Sequence, residues 1–94
     1  MLTVRVESNV EYGAAVTGLW EGVVYPKHEE RILRVLQGFA SAPDLQGEML
    51  GLRVKSEDDR WLDVAGAMLG CEIENENNKL TANVRFAAER WRTW

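Results

Sequence analysis

Apolar and polar residues alternate one for one over several stretches of the chain and recur at helical spacing over one, and these stretches set the expected architecture. Leu2, Val4 and Val6 alternate with Thr3, Arg5 and Glu7, a period-2 pattern that turns one side of a strand to a core and the other to water. A strand is expected over 2–8, followed by a turn at Ser8-Asn9. From Tyr12 to Tyr25 the pattern is mixed, because Gly13, Gly18 and Gly22 weaken a helix while the apolar residues keep no single period. A second strand ending in Val23-Val24-Tyr25 is the preferred reading there.

Pro26 suits the first turn of a helix, where its missing N–H has no partner to lose, and Glu29 and Glu30 follow where carboxylates favour the positive end of the helix dipole. Ile32, Val35, Leu36 and Phe39 then recur at helical spacing, with Leu33 and Ala40 widening the stripe. The spacing predicts a helix over about 27–40, with a Glu30–Arg34 pair on its polar side and Pro43 beyond its end.

Leu50, Leu52 and Val54 alternate with Gly51, Arg53 and Lys55, giving a strand over about 48–56. Ser56-Glu57-Asp58-Asp59-Arg60 reads either as a capped helix start or as a hairpin loop. The β-prone Trp61-Leu62-Asp63-Val64 that follows, with Gly66 beyond it, favours the loop and a further strand. Glu72, Glu74 and Glu76 flank Ile73 in strict alternation, and Asn75-Glu76-Asn77-Asn78 supplies residues that tolerate a left-handed turn. Leu80, Ala82, Val84, Phe86 and Ala88 form the cleanest alternating run, so a hairpin is expected, although 87–91 also has the composition of a helix. The expected fold is α+β: one domain over 1–94, with an antiparallel sheet of four to six strands and the helix packed on one face.

Composition narrows the function classes more than it names one. The chain is 46% hydrophobic and 28% charged, the balance of an ordinary globular domain. No apolar run approaches the roughly 20 residues of a membrane helix, and the charges alternating through 1–7 are unlike a signal peptide. Cys71 is the one cysteine, so no disulfide and no CxxC motif exists, and a reducing, cytoplasmic setting is expected. The net charge of −4 disfavours direct nucleic-acid or membrane binding, both of which reward an excess of Lys and Arg. Local balances are −1 over 1–43, −6 over 44–76 and +3 over 77–94, so the charge is polarised along the chain.

No catalytic, cofactor or metal set emerges. The one imidazole, His28, has the surroundings of a solvated surface residue, and Cys71 lies in an apolar stretch where a free thiol is inert. Walker loops, dinucleotide fingerprints and zinc ligand sets are absent. Glu57, Asp58, Asp59 and Asp63 would hold a divalent ion only if the segment were helical, with Asp59 and Asp63 at i, i+4. Glu72, Glu74 and Glu76 share one face of a strand at intervals of about 6.6 Å, either as a wet face or as an acidic contact surface. Trp20 and Trp61 read as core. Of the tail Arg90-Trp91-Arg92-Thr93-Trp94, one tryptophan is expected to dock on its own domain and the other to meet a partner, since Trp and Arg dominate binding hot spots.

The expectation is therefore a non-enzymatic protein-binding domain whose partner has a basic surface. Its contact residues would be Glu57, Asp58, Asp59, Glu72, Glu74, Glu76, Arg90, Trp91 and Trp94. By analogy of size and charge alone, such a domain suits an inhibitor or immunity-type antagonist of a larger, nucleic-acid-handling protein, as some bacteriophage-encoded anti-defence proteins are. The alternatives are a structural subunit that forms a homo-oligomer or joins a larger assembly such as a virion, and a small metal-dependent module.

Overall fold

The computed structural model describes residues 2–8 and 18–94. Asn9 and residues 12–17 of the mixed stretch lie outside the described residues. Five strands, β1 (Leu2–Ser8), β2 (Gly18–Val23), β3 (Met49–Lys55), β4 (Trp61–Glu76) and β5 (Lys79–Thr93), and one α-helix, α1 (Glu29–Ser41), make an α+β fold. The segment over 56–60 is a hairpin loop, 61–76 is one continuous strand, and 87–91 continues β5. The second strand stops at Val23, two residues short of the expected end. The helix is entered through a separate 3-10 turn, Pro26–His28, so its α-helical part begins at Glu29.

Each strand pairs antiparallel with the next, and β5 then returns to β1 and pairs with it in parallel, from Leu2↔Leu80 to Ser8↔Phe86. The sheet thereby closes into a barrel. The parallel junction follows from parity, because strands that reverse direction at every step leave the first and fifth running the same way. The weakest seam joins β2 to β3 through one residue pair, Val23↔Lys55. The link between those two strands carries α1 onto the barrel: Leu36 is fully buried in the common core, and Ile32, Leu33 and Phe39 pack against it. Val35, expected in the same stripe, is 37% exposed, since it sits about 100° round the helix from Leu36.

Two irregularities in the β4–β5 ladder decide which side chains face out. In β4, Leu62, Val64 and Met68 point into the core; one extra residue, Leu69, then shifts the register between Met68 and Gly70. Beyond it the odd-numbered Cys71 and Ile73 pack inward, and the even-numbered Glu72, Glu74 and Glu76 face solvent. In β5 the extra residue is Glu89, between the pairs Gly66↔Ala88 and Ala65↔Arg90. Ala82, Val84, Phe86 and Ala88 fill the barrel before it. After it, Trp91 turns inward and Arg90 and Arg92 turn outward. Gly66 makes this crowding possible, because a Cβ there would lie 2.2 Å from the carbonyl oxygen of Ala87. Phe86, Leu62, Met68 and Leu36 are each almost wholly buried, and each such side chain contributes about 1.5–3 kcal/mol to the core.

A cationic, aromatic cleft beside the helix

The outward face of β3, β4 and β5 is built from cross-strand rungs. One rung is Gly51, Ala65 and Arg90; the next is Arg53, Asp63 and Arg92; the last on β3 and β4 is Lys55 with Trp61. Trp94 lies opposite Trp61 through two backbone hydrogen bonds. Gly51 has no side chain, so the cleft has a low floor at that position. Tyr25 and His28, from the chain entering α1, and Arg31 and Ile32, from its first turn, rise on one side. The result is a cleft of about 640 Å³.

Three guanidiniums line it, those of Arg31, Arg53 and Arg90, against a single carboxylate, that of Asp63. Asp63 is shared: its carboxylate lies 3.8 Å from Arg53 and 3.4 Å from Arg90. Both separations exceed the roughly 2.7–2.9 Å of a close charge-assisted hydrogen bond, so neither guanidinium is saturated. The Arg53 guanidinium lies 5.1 Å from the centroid of the Trp94 ring, and the Lys55 ammonium 5.9 Å from that of Trp61. Trp94 is 51% and Tyr25 49% exposed, so large parts of both rings face solvent. His28 is exposed beside Tyr25, with ring centroids 5.6 Å apart.

The residues expected to contact a partner fall in three places. Glu57, Asp58 and Asp59 occupy the β3–β4 turn, where Asp59 pairs with Lys55 at 2.6 Å and takes a left-handed φ of 65°. Asp58 accepts a hydrogen bond from the Ser56 hydroxyl, which holds its carboxyl below the usual range. Glu72, Glu74 and Glu76 lie toward the far end of the 16-residue β4, with Glu72 3.8 Å from Arg85. The acidic turn of Glu57, Asp58 and Asp59 and the row of Glu72, Glu74 and Glu76 thus lie toward opposite ends of β4. Arg90 and Trp94 reach the cleft. Trp91 instead packs on the core and against Gly18, where a Cβ would fall 2.4 Å from its ring.

Trp61 corrects the expectation of a core residue, since it is half-buried and lines the cleft, while Trp20 packs against the core. Asp59 and Asp63 do not share a helical face, because the segment is loop and strand. Among the described residues no group of three or more His, Cys, Asp or Glu side chains is placed to hold a metal ion, and no helix is long and apolar enough to cross a membrane. Tyr25, Arg31, Arg53 and Asp63 complete the cleft. Of these, Arg53 and Asp63 had a signal in the sequence, as polar positions flanked by Leu52 and Val54 and by Leu62 and Val64.

The described residues form a small closed barrel with a concave cleft beside the helix. Comparison with protein-family models, with curated proteins and with solved structures finds no match for this chain.

Proposed function

We propose that this protein is a non-enzymatic binding domain that acts by surface complementarity, with the cleft as its principal recognition site for an anionic, flat group of a partner. The supporting observation is the convergence of three arginines with Tyr25, Trp61 and Trp94 on one concave surface of a chain whose net charge is −4. Arg, Trp and Tyr are the residue types that carry most binding energy at interfaces, and a guanidinium presents a rigid fork of donors to carboxylate or phosphate. The cleft falls within the roughly 300–1,000 Å³ typical of ligand sites.

The test is a pull-down from the native host with the wild-type chain and with the Arg53→Ala/Arg90→Ala double variant, the fold of each checked by circular dichroism. Partners held by the wild type and released by the double variant are expected. Equal retention by both would remove the cleft from the function.

A second reading rests on Glu72, Glu74 and Glu76, which project in a row from the outer face of the β4–β5 hairpin. That row suits a basic partner surface, as in an inhibitor or phage-type antagonist of a nucleic-acid-handling protein. Replacing all three with lysine should slow association with such a partner and flatten its salt dependence. Unchanged kinetics would leave the row as a solvated face.

A further inference from the structure

We infer that the cleft takes a nucleotide: a nucleobase stacked on an exposed tryptophan, with its phosphate held between Arg53 and Arg90. This rests on the reading of the cleft as the recognition site and specifies its ligand. The geometry around Asp63 carries the phosphate half. One carboxylate draws two guanidiniums together, at 3.8 and 3.4 Å, and leaves most of their donors unused. With Arg31 nearby, the lining carries a surplus of two positive charges. A phosphate monoester bears about 1.5–2 negative charges and three acceptor oxygens, so it matches that surplus and engages both forks, where a lone carboxylate neutralises half of it.

The aromatic residues carry the base half. Arg53 lies over one face of the Trp94 ring, and 51% of the residue remains exposed, so the ring surface that Arg53 leaves uncovered is the platform for a base, next to the guanidinium that would bind phosphate. Base–aromatic stacking is tolerant of base identity because every base has a π-face. Gly51, without a side chain, leaves the floor low enough for a ring system to lie across it. A Cβ at Gly51 would meet nothing nearer than 3.9 Å, so the space above it is open.

A free nucleotide, or the end of a strand, fits better than a strand running through. The turn bearing Glu57, Asp58 and Asp59 joins Lys55 to Trp61, so acidic charge stands beside the aromatic end of the cleft. Successive phosphates of a polymer would meet that turn, on a chain already at −4.

The experiment titrates the full chain with adenosine monophosphate, adenosine, inorganic phosphate, a single-stranded 15-mer of deoxythymidine and an acidic, aromatic peptide. Tryptophan fluorescence and calorimetry provide the readouts. Adenosine monophosphate is expected to quench the fluorescence and to bind at least about tenfold more tightly than adenosine or phosphate alone. Arg53→Ala/Arg90→Ala should weaken it by a similar factor. Gly51→Leu, which fills the floor and removes no charge, should abolish it while the melting temperature holds. Binding of the peptide but not the nucleotide would overturn this inference and leave the recognition site standing. Tighter binding of the 15-mer than of the mononucleotide would overturn the restriction to a free nucleotide or strand end. Silence from every probe, with pull-downs unaffected by the double variant, would overturn both the inference and the reading beneath it.

Discussion

Trp61 and Trp94 exchange two backbone hydrogen bonds, from Trp61 N–H to Trp94 O at 2.7 Å and from Trp94 N–H to Trp61 O at 3.0 Å. This pair extends the β4–β5 ladder one rung past Thr93 and fixes Trp94 on the cleft side, under Arg53. Trp94→Ala keeps both bonds and loses the ring. It should cost no more than about 1 kcal/mol of stability, the value of an exposed cation–π contact, while removing ligand-induced fluorescence change. Trp94→Pro also deletes the N–H and should cost about 1 kcal/mol more. Urea denaturation of the two variants measures the difference.

The close approach of β4 and β5 at Gly66 predicts a sharp asymmetry between two glycine substitutions. Gly66→Ala places a Cβ 2.2 Å from the Ala87 oxygen and 2.8 Å from the Ala88 Cα, both backbone atoms, and should destabilise by about 2 kcal/mol or more. Gly38→Ala meets nothing within 4 Å inside α1 and should stabilise by about 0.5–1 kcal/mol. Melting temperatures should move in opposite directions, by roughly 4–8 °C per kcal/mol.

The β4–β5 turn places both Asn77, at φ 52°, and Asn78, at φ 62°, in the left-handed region. That is the backbone of a type I′ hairpin, which favours Asn-Gly. Asn78→Gly should hold or raise the melting temperature. Asn77→Ala/Asn78→Ala should lower stability by about 1 kcal/mol or more, because alanine pays the steric cost of that region at each position.

Cys71 is half-buried beneath α1, its thiol 3.5 Å from the Leu36 carbonyl oxygen, and burial together with Glu72 pushes its pKa up to about 11. Its thiolate fraction at neutral pH is accordingly small, and reaction with a thiol reagent should be slow at pH 7–8 and accelerate toward pH 11. The linkage has a definite sign. Between the ordinary value of 9.0 and about 11 the folded state holds a proton that the unfolded state has released. Stability from this group is therefore intact below pH 9 and declines as pH rises through that window. Comparing the pH dependence of urea midpoints in wild type and Cys71→Ala isolates the contribution.

Local pattern was enough to specify the elements. The period-2 runs at 2–8 and 80–88, the alternation around Leu52 and Val54, and the stripe of Ile32, Leu36 and Phe39 each encode their own burial, because a side chain's face follows from the backbone repeat. The Glu30–Arg34 pair, at 2.9 Å, likewise needs only helical spacing. Closure of the barrel by a parallel β1–β5 junction depends on pairing residues nearly eighty positions apart, which no local repeat records. The cleft depends on the same long-range order. Tyr25 comes from the helix approach, Arg31 from the first turn of α1, Arg53 and Asp63 from β3 and β4, and Arg90 and Trp94 from β5 and the residue after it. In the tail, alternation carried straight on from Phe86 and Ala88 would bury Arg90 and expose Trp91. One extra residue at Glu89 reverses that, sending Arg90 to the cleft and the indole of Trp91 to the core, and only the register of β5 against β4 could decide it.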